Sequence, residues 1–155
     1  MRGSTNVARI IKAPRRAVYE ACLDPAALAR WRVPDNMTAR VHVFDAHEGG
    51  TYRMSLIYKD PAQSPGGKTS EDTDTFQGRF VELVSDEKIV EAITFESDDP
   101  GFSGEMTMIT RLADADGGTE VIILCQGLPA GVRPEDNETG TRQSLRKLAA
   151  LLENG

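Results

Sequence analysis

Residues 133–153 read RPEDNETGTRQSLRKLAALLE. Thr141, Leu145, Leu148 and Leu152 are separated by steps of four, three and four, which puts them on one stripe of a helix with Ser144 and Leu151 beside it. Arg142, Gln143, Arg146 and Lys147 take the other side. Glu135, Asp136 and Glu138 stand near the start, where acidic groups oppose the positive end of the helix dipole. The spacing predicts one long amphipathic helix over residues 133–153. Gly140 lies inside it, although glycine costs about 1 kcal/mol relative to alanine there. A close approach of its backbone to a sheet or a cavity accounts for the choice, and on that basis Gly140→Leu overpacks the site.

Everything before this helix is rich in strand patterns. Residues 5–12 carry Val7, Ile10 and Ile11 and stop at Ala13-Pro14, where proline suits the first turn of a helix. Val18, Ala21 and Cys22 then follow a helical period. Asp24-Pro25 reads as a cap and first position of a second short helix, with Leu28 and Trp31 on a shared face. Residues 38–45 and 51–58 form a hairpin through His47-Glu48-Gly49-Gly50. Residues 76–84 and 88–96 form another around Ser85-Asp86-Glu87, and residues 105–112 and 119–127 the last, around residues 114–118. Residues 59–75 hold Pro61, Pro65, Gly66 and Gly67, a long connection that is either mobile or a lid over a ligand. A single helix closing a chain of strands predicts a curved sheet wrapped around that helix, with space for a small molecule between them.

Along residues 51–58, Tyr52, Met54 and Leu56 alternate with Thr51, Arg53 and Ser55. If the aromatic face is the inner one, alternation adds Phe80, Ile93, Phe95, Met106, Met108, Val121, Ile123 and Cys125 to it. With Trp31 from the second short helix and Thr141, Leu145 and Leu148 from the last, these are the candidate lining of an apolar cavity.

The 155 residues are the size of one domain, expected to span residues 1–155 and able to bury a core without disulfides or metal. Eighteen basic against twenty-four acidic residues give a formal charge of −6, which repels a phosphate backbone, so nucleic acid is not an expected partner. The N-terminus lacks the apolar run of a secretion signal, and no stretch approaches the roughly 20 apolar residues of a membrane span. A cytoplasmic protein is expected, with Cys22 and Cys125 as free buried thiols.

Signs of chemistry are sparse. His42 and His47 are five apart, which is neither helical metal spacing nor a triad, and no Cys-x-x-Cys or His-Glu-x-x-His occurs. No metal and no cofactor is expected. Asp114-Ala115-Asp116-Gly117 lacks the glutamate spacing of a calcium loop and reads as a turn. One pair of carboxylates stands out. With Val84 paired to Ile89 across the turn, Glu82 falls opposite Glu91 on the face of Phe80 and Ile93. Opposed carboxylates raise one another's proton affinity, which makes Glu82 and Glu91 the candidate acid pair unless a bulge or solvent separates them. Arg53 and Arg111 alternate to the opposite face and are expected in water.

Several local strings fall in a familiar order: Ala13-Pro14 with Val18, Leu28-Ala29-Arg30-Trp31, Gly49-Gly50-Thr51-Tyr52-Arg53, Gly78-Arg79-Phe80-Val81-Glu82, Gly118-Thr119-Glu120-Val121, and Asn137-Glu138-Thr139-Gly140 followed by Leu145 and Leu148. Together they resemble the START-like (SRPBCC) superfamily, and within it proteins similar to the C-terminal domain of the activator of heat-shock protein 90 ATPase, over nearly the whole chain. The resemblance implies an α+β helix-grip fold: a curved antiparallel sheet of six to seven strands around a long C-terminal helix, with two short helices after the first strand. It also implies a hydrophobic cavity, in which superfamily members bind lipids, polyketides and plant hormones, a minority catalysing cyclisations or dehydrations. Many members carry an aromatic directly after the helix glycine, where this chain has Thr141, so a wider or more polar cavity is expected there. The expected function is binding of a small apolar or amphipathic molecule rather than catalysis. Two alternatives are a chaperone-associated interaction module and a cyclase or hydrolase acting on polyketide-like substrates. Ile122 and Leu124, on the outer face of their strand, are the residues for a protein partner or a homodimer contact.

Overall fold

Capping chemistry and glycines fix where the elements begin and end. Asp24 Oδ1 accepts from the Ala26 N–H at 3.0 Å, and Pro25 takes the first position of the second short helix. The computed structural model describes residues 3–60, 62, 67–70 and 72–153. In it the chain runs β1 (Ser4–Ile11), α1 (Arg15–Cys22), α2 (Pro25–Trp31), β2 (Met37–Phe44), β3 (Thr51–Tyr58), β4 (Thr73–Val84), β5 (Lys88–Phe95), β6 (Met106–Ala115), β7 (Gly118–Gln126) and α3 (Pro134–Glu153). A 3-10 turn, Pro100–Phe102, lies between β5 and β6. The strands form one seven-stranded antiparallel sheet in the order β1-β7-β6-β5-β4-β3-β2. Curled into a half-barrel with α3 as its long C-terminal helix, this is the helix-grip arrangement.

Two boundaries differ from expectation because strand pairing reaches further than local composition. Thr73, Asp74 and Thr75 pair with Ile57, Leu56 and Ser55, so the 59–75 connection ends before β4 begins at Thr73. Ala115 pairs with Gly118, leaving a tight turn at Asp116-Gly117 in which Gly117 has φ +78°.

A third difference changes which residues face inward. β4 carries a bulge at Val81, so that Phe80 lies opposite Glu91, Glu82 opposite Val90, and Val84 opposite Lys88. One surplus residue reverses the alternation. Phe80 is buried and Leu83 packs on the core, while Val81 is exposed and Glu82 pairs with the ammonium of Lys88 at the surface. The expected Glu82 and Glu91 pair does not form.

The core fills the space between the second half of α3 and the β1, β7 and β6 side of the sheet. Leu145, Leu148 and Ala149 join Ile11, Val18, Leu112 and Val121 there, all nearly sealed from solvent. Leucines at helical spacing on α3 meet alternating apolar residues on the strands, which is the packing that both periodicities require.

Candidate functional site

A cavity of about 910 Å³ separates the first half of α3 from the sheet. The helix causes it. Its residues Gly140, Thr141 and Ser144 border the space with side chains shorter than the later leucines, while Asn137, also on its border, reaches Thr5 of β1. On the sheet side Leu56, Ile93, Phe95, Met106, Met108, Ile123 and Cys125 form the wall, and Trp31 closes the α2 end. With Thr141, nine of the fifteen residues expected around a cavity are therefore brought together. Tyr52, Met54, Phe80, Val121, Leu145 and Leu148 do not border it; they lie within the buried core.

Gly140 borders the cavity, but no backbone crowds it. A Cβ added there would meet only Pro34 Cγ, at 3.6 Å. The expected overpacking against the sheet is corrected accordingly: a larger residue at this position would extend toward the α2–β2 connection.

One end of the cavity is polar. Arg32, the residue that ends α2, gives one N–H from Nη1 to Glu91 Oε1 at 2.9 Å. Its Nη2 donates to the Tyr52 hydroxyl at 3.2 Å and to Met108 Sδ at 3.4 Å. Tyr52 in turn donates to Glu91 Oε1 at 2.5 Å. The guanidinium lies over the rings of Tyr52 and Phe76, 5.5 and 5.7 Å from their centroids. The ion pair is deeply placed, with the two side chains 13% and 4% exposed. Burial by itself would lower the Arg32 pKa, but the Glu91 carboxylate more than reverses this and Tyr52 adds to it, so the guanidinium stays charged. Burial pushes the Tyr52 phenol well above its ordinary value, against the opposing pull of Arg32. The same desolvation, with Glu91 adding, lifts Cys22 to about 12, and burial raises Cys125. Both thiols are free.

Gly78 makes this cluster possible. It stands opposite Tyr52 on the neighbouring strand, and a Cβ there would fall inside the Tyr52 ring. Without one, the tyrosine lies across β4 and brings its hydroxyl to Glu91 on β5.

A second ion pair, between Lys68 and Asp74, also borders the cavity. Asp74 accepts from the Lys68 backbone N–H at 2.6 Å and from its ammonium at 3.0 Å. That ammonium lies 5.1 Å from the ring centroid of Phe95 and 5.5 Å from that of Phe102. These contacts hold the end of the 59–75 connection against the rim; residues 61, 63–66 and 71, on which the lid reading also falls, lie outside the described residues. Thr5 of β1 donates to Asn137 Oδ1 at 2.6 Å, which ties the first half of α3 to the edge strand of the sheet.

The remaining sequence candidates belong elsewhere. His42 shares a hydrogen bond with Ser55 at 2.8 Å, and His47 meets Asp45 at 2.6 Å. Arg53 binds Glu96 through two N–H groups, at 2.7 and 2.9 Å, on the outer face. Ile122 and Leu124 are half-buried, in register with Arg111 and Ile109 of β6. Among the described residues no three His, Cys, Asp or Glu side chains are placed to hold a metal ion, and no helix is long and apolar enough to cross a membrane. Periodicity missed Arg32, Lys68 and Asp74. A signal for Arg32 existed: Glu91 stands between Ile89 and Ile93 on the inward face of β5, and a carboxylate in that series calls for a buried cation.

Known proteins share this fold. The family described as Activator of Hsp90 ATPase homolog 1-like protein matches residues 12–153. Among solved structures, a Chromobacterium violaceum protein is 35% identical, with a TM-score of 0.85 over 97% of this chain and 96% of its own. A Rhodobacter sphaeroides protein is 19% identical with a TM-score of 0.79, covering 97% of this chain and 92% of its own. An AHSA1-like protein from Aeromonas hydrophila, also 19% identical, has a TM-score of 0.71 over 98% and 93%. Among curated proteins there is no match. With nearly the whole chain matched and the sheet, the two short helices and α3 all in place, the chain belongs to the Activator of Hsp90 ATPase homolog 1-like family.

Proposed function

We propose that the domain, residues 1–155, binds a small apolar or amphipathic molecule in the cavity between the sheet and α3, in the cytoplasm and without a metal or organic cofactor. The observation that carries this is the change of side-chain size along α3. Gly140, Thr141 and Ser144 leave about 910 Å³ open over a wall of Ile93, Phe95 and Met106, within the range of small-molecule sites. A polar end and an apolar wall suit an amphipathic occupant. The chaperone-associated alternative has less support, because the large exposed apolar residues Ile10, Val43 and Val81 lie on three different strands rather than in one patch. The cyclase or hydrolase alternative has lost the Glu82 and Glu91 pair that motivated it.

Native mass spectrometry of protein purified from its own host tests the proposal. A retained small molecule is expected, and it should be lost in a Thr141→Phe, Ser144→Leu variant that fills the cavity without unfolding the domain. A ligand retained equally by the filled variant would place binding elsewhere and overturn it.

A further inference from the structure

We propose that Arg32 is the hydrogen-bonding anchor of the cavity and that its ligand is a neutral, largely apolar molecule carrying a carbonyl or similar acceptor oxygen. This rests on the ligand-binding function proposed above and names the ligand's class. A guanidinium has five N–H donors. Three of Arg32's go to Glu91, Tyr52 and Met108, and among the described residues no acceptor takes the other two. The cluster is asymmetric: Arg32 and Met108 border the cavity, whereas Glu91 and Tyr52 do not. A molecule in the cavity therefore meets donors. Glu91 and Tyr52 act behind the guanidinium as positioning residues, holding its plane over the rings of Tyr52 and Phe76.

Charge decides between a neutral acceptor and a carboxylate. Three cations, Arg32, Lys68 and Arg133, and three anions, Asp35, Asp74 and Asp136, border the cavity, so its lining is balanced. Arg32 already has Glu91 at 2.9 Å, and Lys68 has Asp74 at 3.0 Å. A carboxylate ligand would bring an unmatched charge into partly desolvated surroundings, on a protein whose formal charge is already −6. A ketone-like oxygen takes the spare donors without that cost, and its hydrocarbon part covers the wall at Ile93, Phe95 and Met106.

Three fluorescent probes test this with the full chain: the acetyl derivative of dimethylaminonaphthalene, whose emission reports hydrogen bonding at its carbonyl, and its ethyl and carboxylate counterparts. The acetyl probe is expected to bind about tenfold more tightly than the ethyl probe, the scale of one hydrogen bond to a charged donor, with emission shifted toward that of a hydrogen-bonded carbonyl. Because Arg32→Met alone strands Glu91, the variant is Arg32→Met, Glu91→Gln, which removes both charges. It should bind the ethyl probe as the natural sequence does while the acetyl preference and the emission shift disappear. Equal binding of acetyl and ethyl probes by the natural sequence, or an acetyl preference that survives in the double variant, overturns the Arg32 anchor and leaves the cavity function standing. Tightest binding of the carboxylate overturns the neutral class. No binding of any probe overturns both the anchor and the ligand-binding function.

Discussion

The two halves of α3 cover the same sheet with opposite results. From Leu145 onward, Leu148 and Ala149 press into a sealed core with Ile11, Val18 and Val121. Before it, Gly140, Thr141 and Ser144 keep a cavity open over a wall that includes Ile93, Phe95 and Met106. Stability and binding are thus assigned to successive turns of one helix, and the sheet side alone would not reveal where one ends and the other begins. The open half is not simply a weaker core, since the buried Arg32–Glu91–Tyr52 cluster gives it a rigid end built from polar groups.

The largest effect is expected at that polar end. Glu91→Ala leaves Arg32 buried without its counter-charge and should cost about 3–5 kcal/mol, read by urea denaturation. This reverses what an opposed carboxylate pair would predict, namely a gain on removing either acid. A cost no greater than that of a surface substitution would show that water already serves Arg32.

Next, Leu148→Ala should cost about 2–5 kcal/mol, because its neighbours cannot collapse into the space it leaves. Ser144→Ala, one turn earlier and also buried, should change stability by less than about 1 kcal/mol. Similar losses for both would erase the distinction between the two halves.

Gly140→Ala is expected to stabilise the fold by up to about 1 kcal/mol, since the added Cβ meets only Pro34 Cγ at 3.6 Å and helix propensity favours alanine. Thermal denaturation measures it. A loss instead would mean that the open half needs a flexible turn at this point.

The smallest effect lies outside the cavity and serves as its control. Hydrogen bonds from Arg53, and then from Gln77, hold the Glu96 carboxyl down at about 2. A depressed folded-state pKa contributes stability above the unfolded value of about 4.3, and that contribution fades as pH falls toward the folded one. Stability curves of the natural sequence and Glu96→Gln should differ near neutral pH and converge at about pH 2. Because solvent reaches this pair, added salt should shrink the difference, while leaving the Glu91→Ala loss in place.

Much of the fold was legible because it rests on local chemistry. The 3.6-residue period of α3, the Asp24-Pro25 helix start and the alternation of Tyr52, Met54 and Leu56 each specify an element without reference to the rest of the chain. Glu82 shows where such logic stops. Nothing in Gly78-Arg79-Phe80-Val81-Glu82 marks Val81 as a surplus residue, and one bulge turns every later side chain over. The cavity was half legible. Alternation identified the inward-facing residues, but whether they touch α3 or face open space depends on what the helix carries opposite them. Arg32 was hidden for another reason: a long charged side chain at a helix end ordinarily lies in water, and only the tertiary placement of β3, β5 and β6 turns it inward.

The crossing of Tyr52 over Gly78 has an evolutionary corollary. The two positions are sterically one unit, so a relative that gains any side chain at the glycine must give up the large ring at the tyrosine, and the reverse order of change is the only one that avoids a clash. Aligned relatives should therefore lack one combination, the large ring facing a side chain, and sort into those that keep the ring over glycine and those that have lost the ring. Members of the second group would have to hold the equivalent of Glu91 by other means or dispense with it, which makes the ring on β3 over an absent side chain on β4 the simplest marker of which relatives share this polar end.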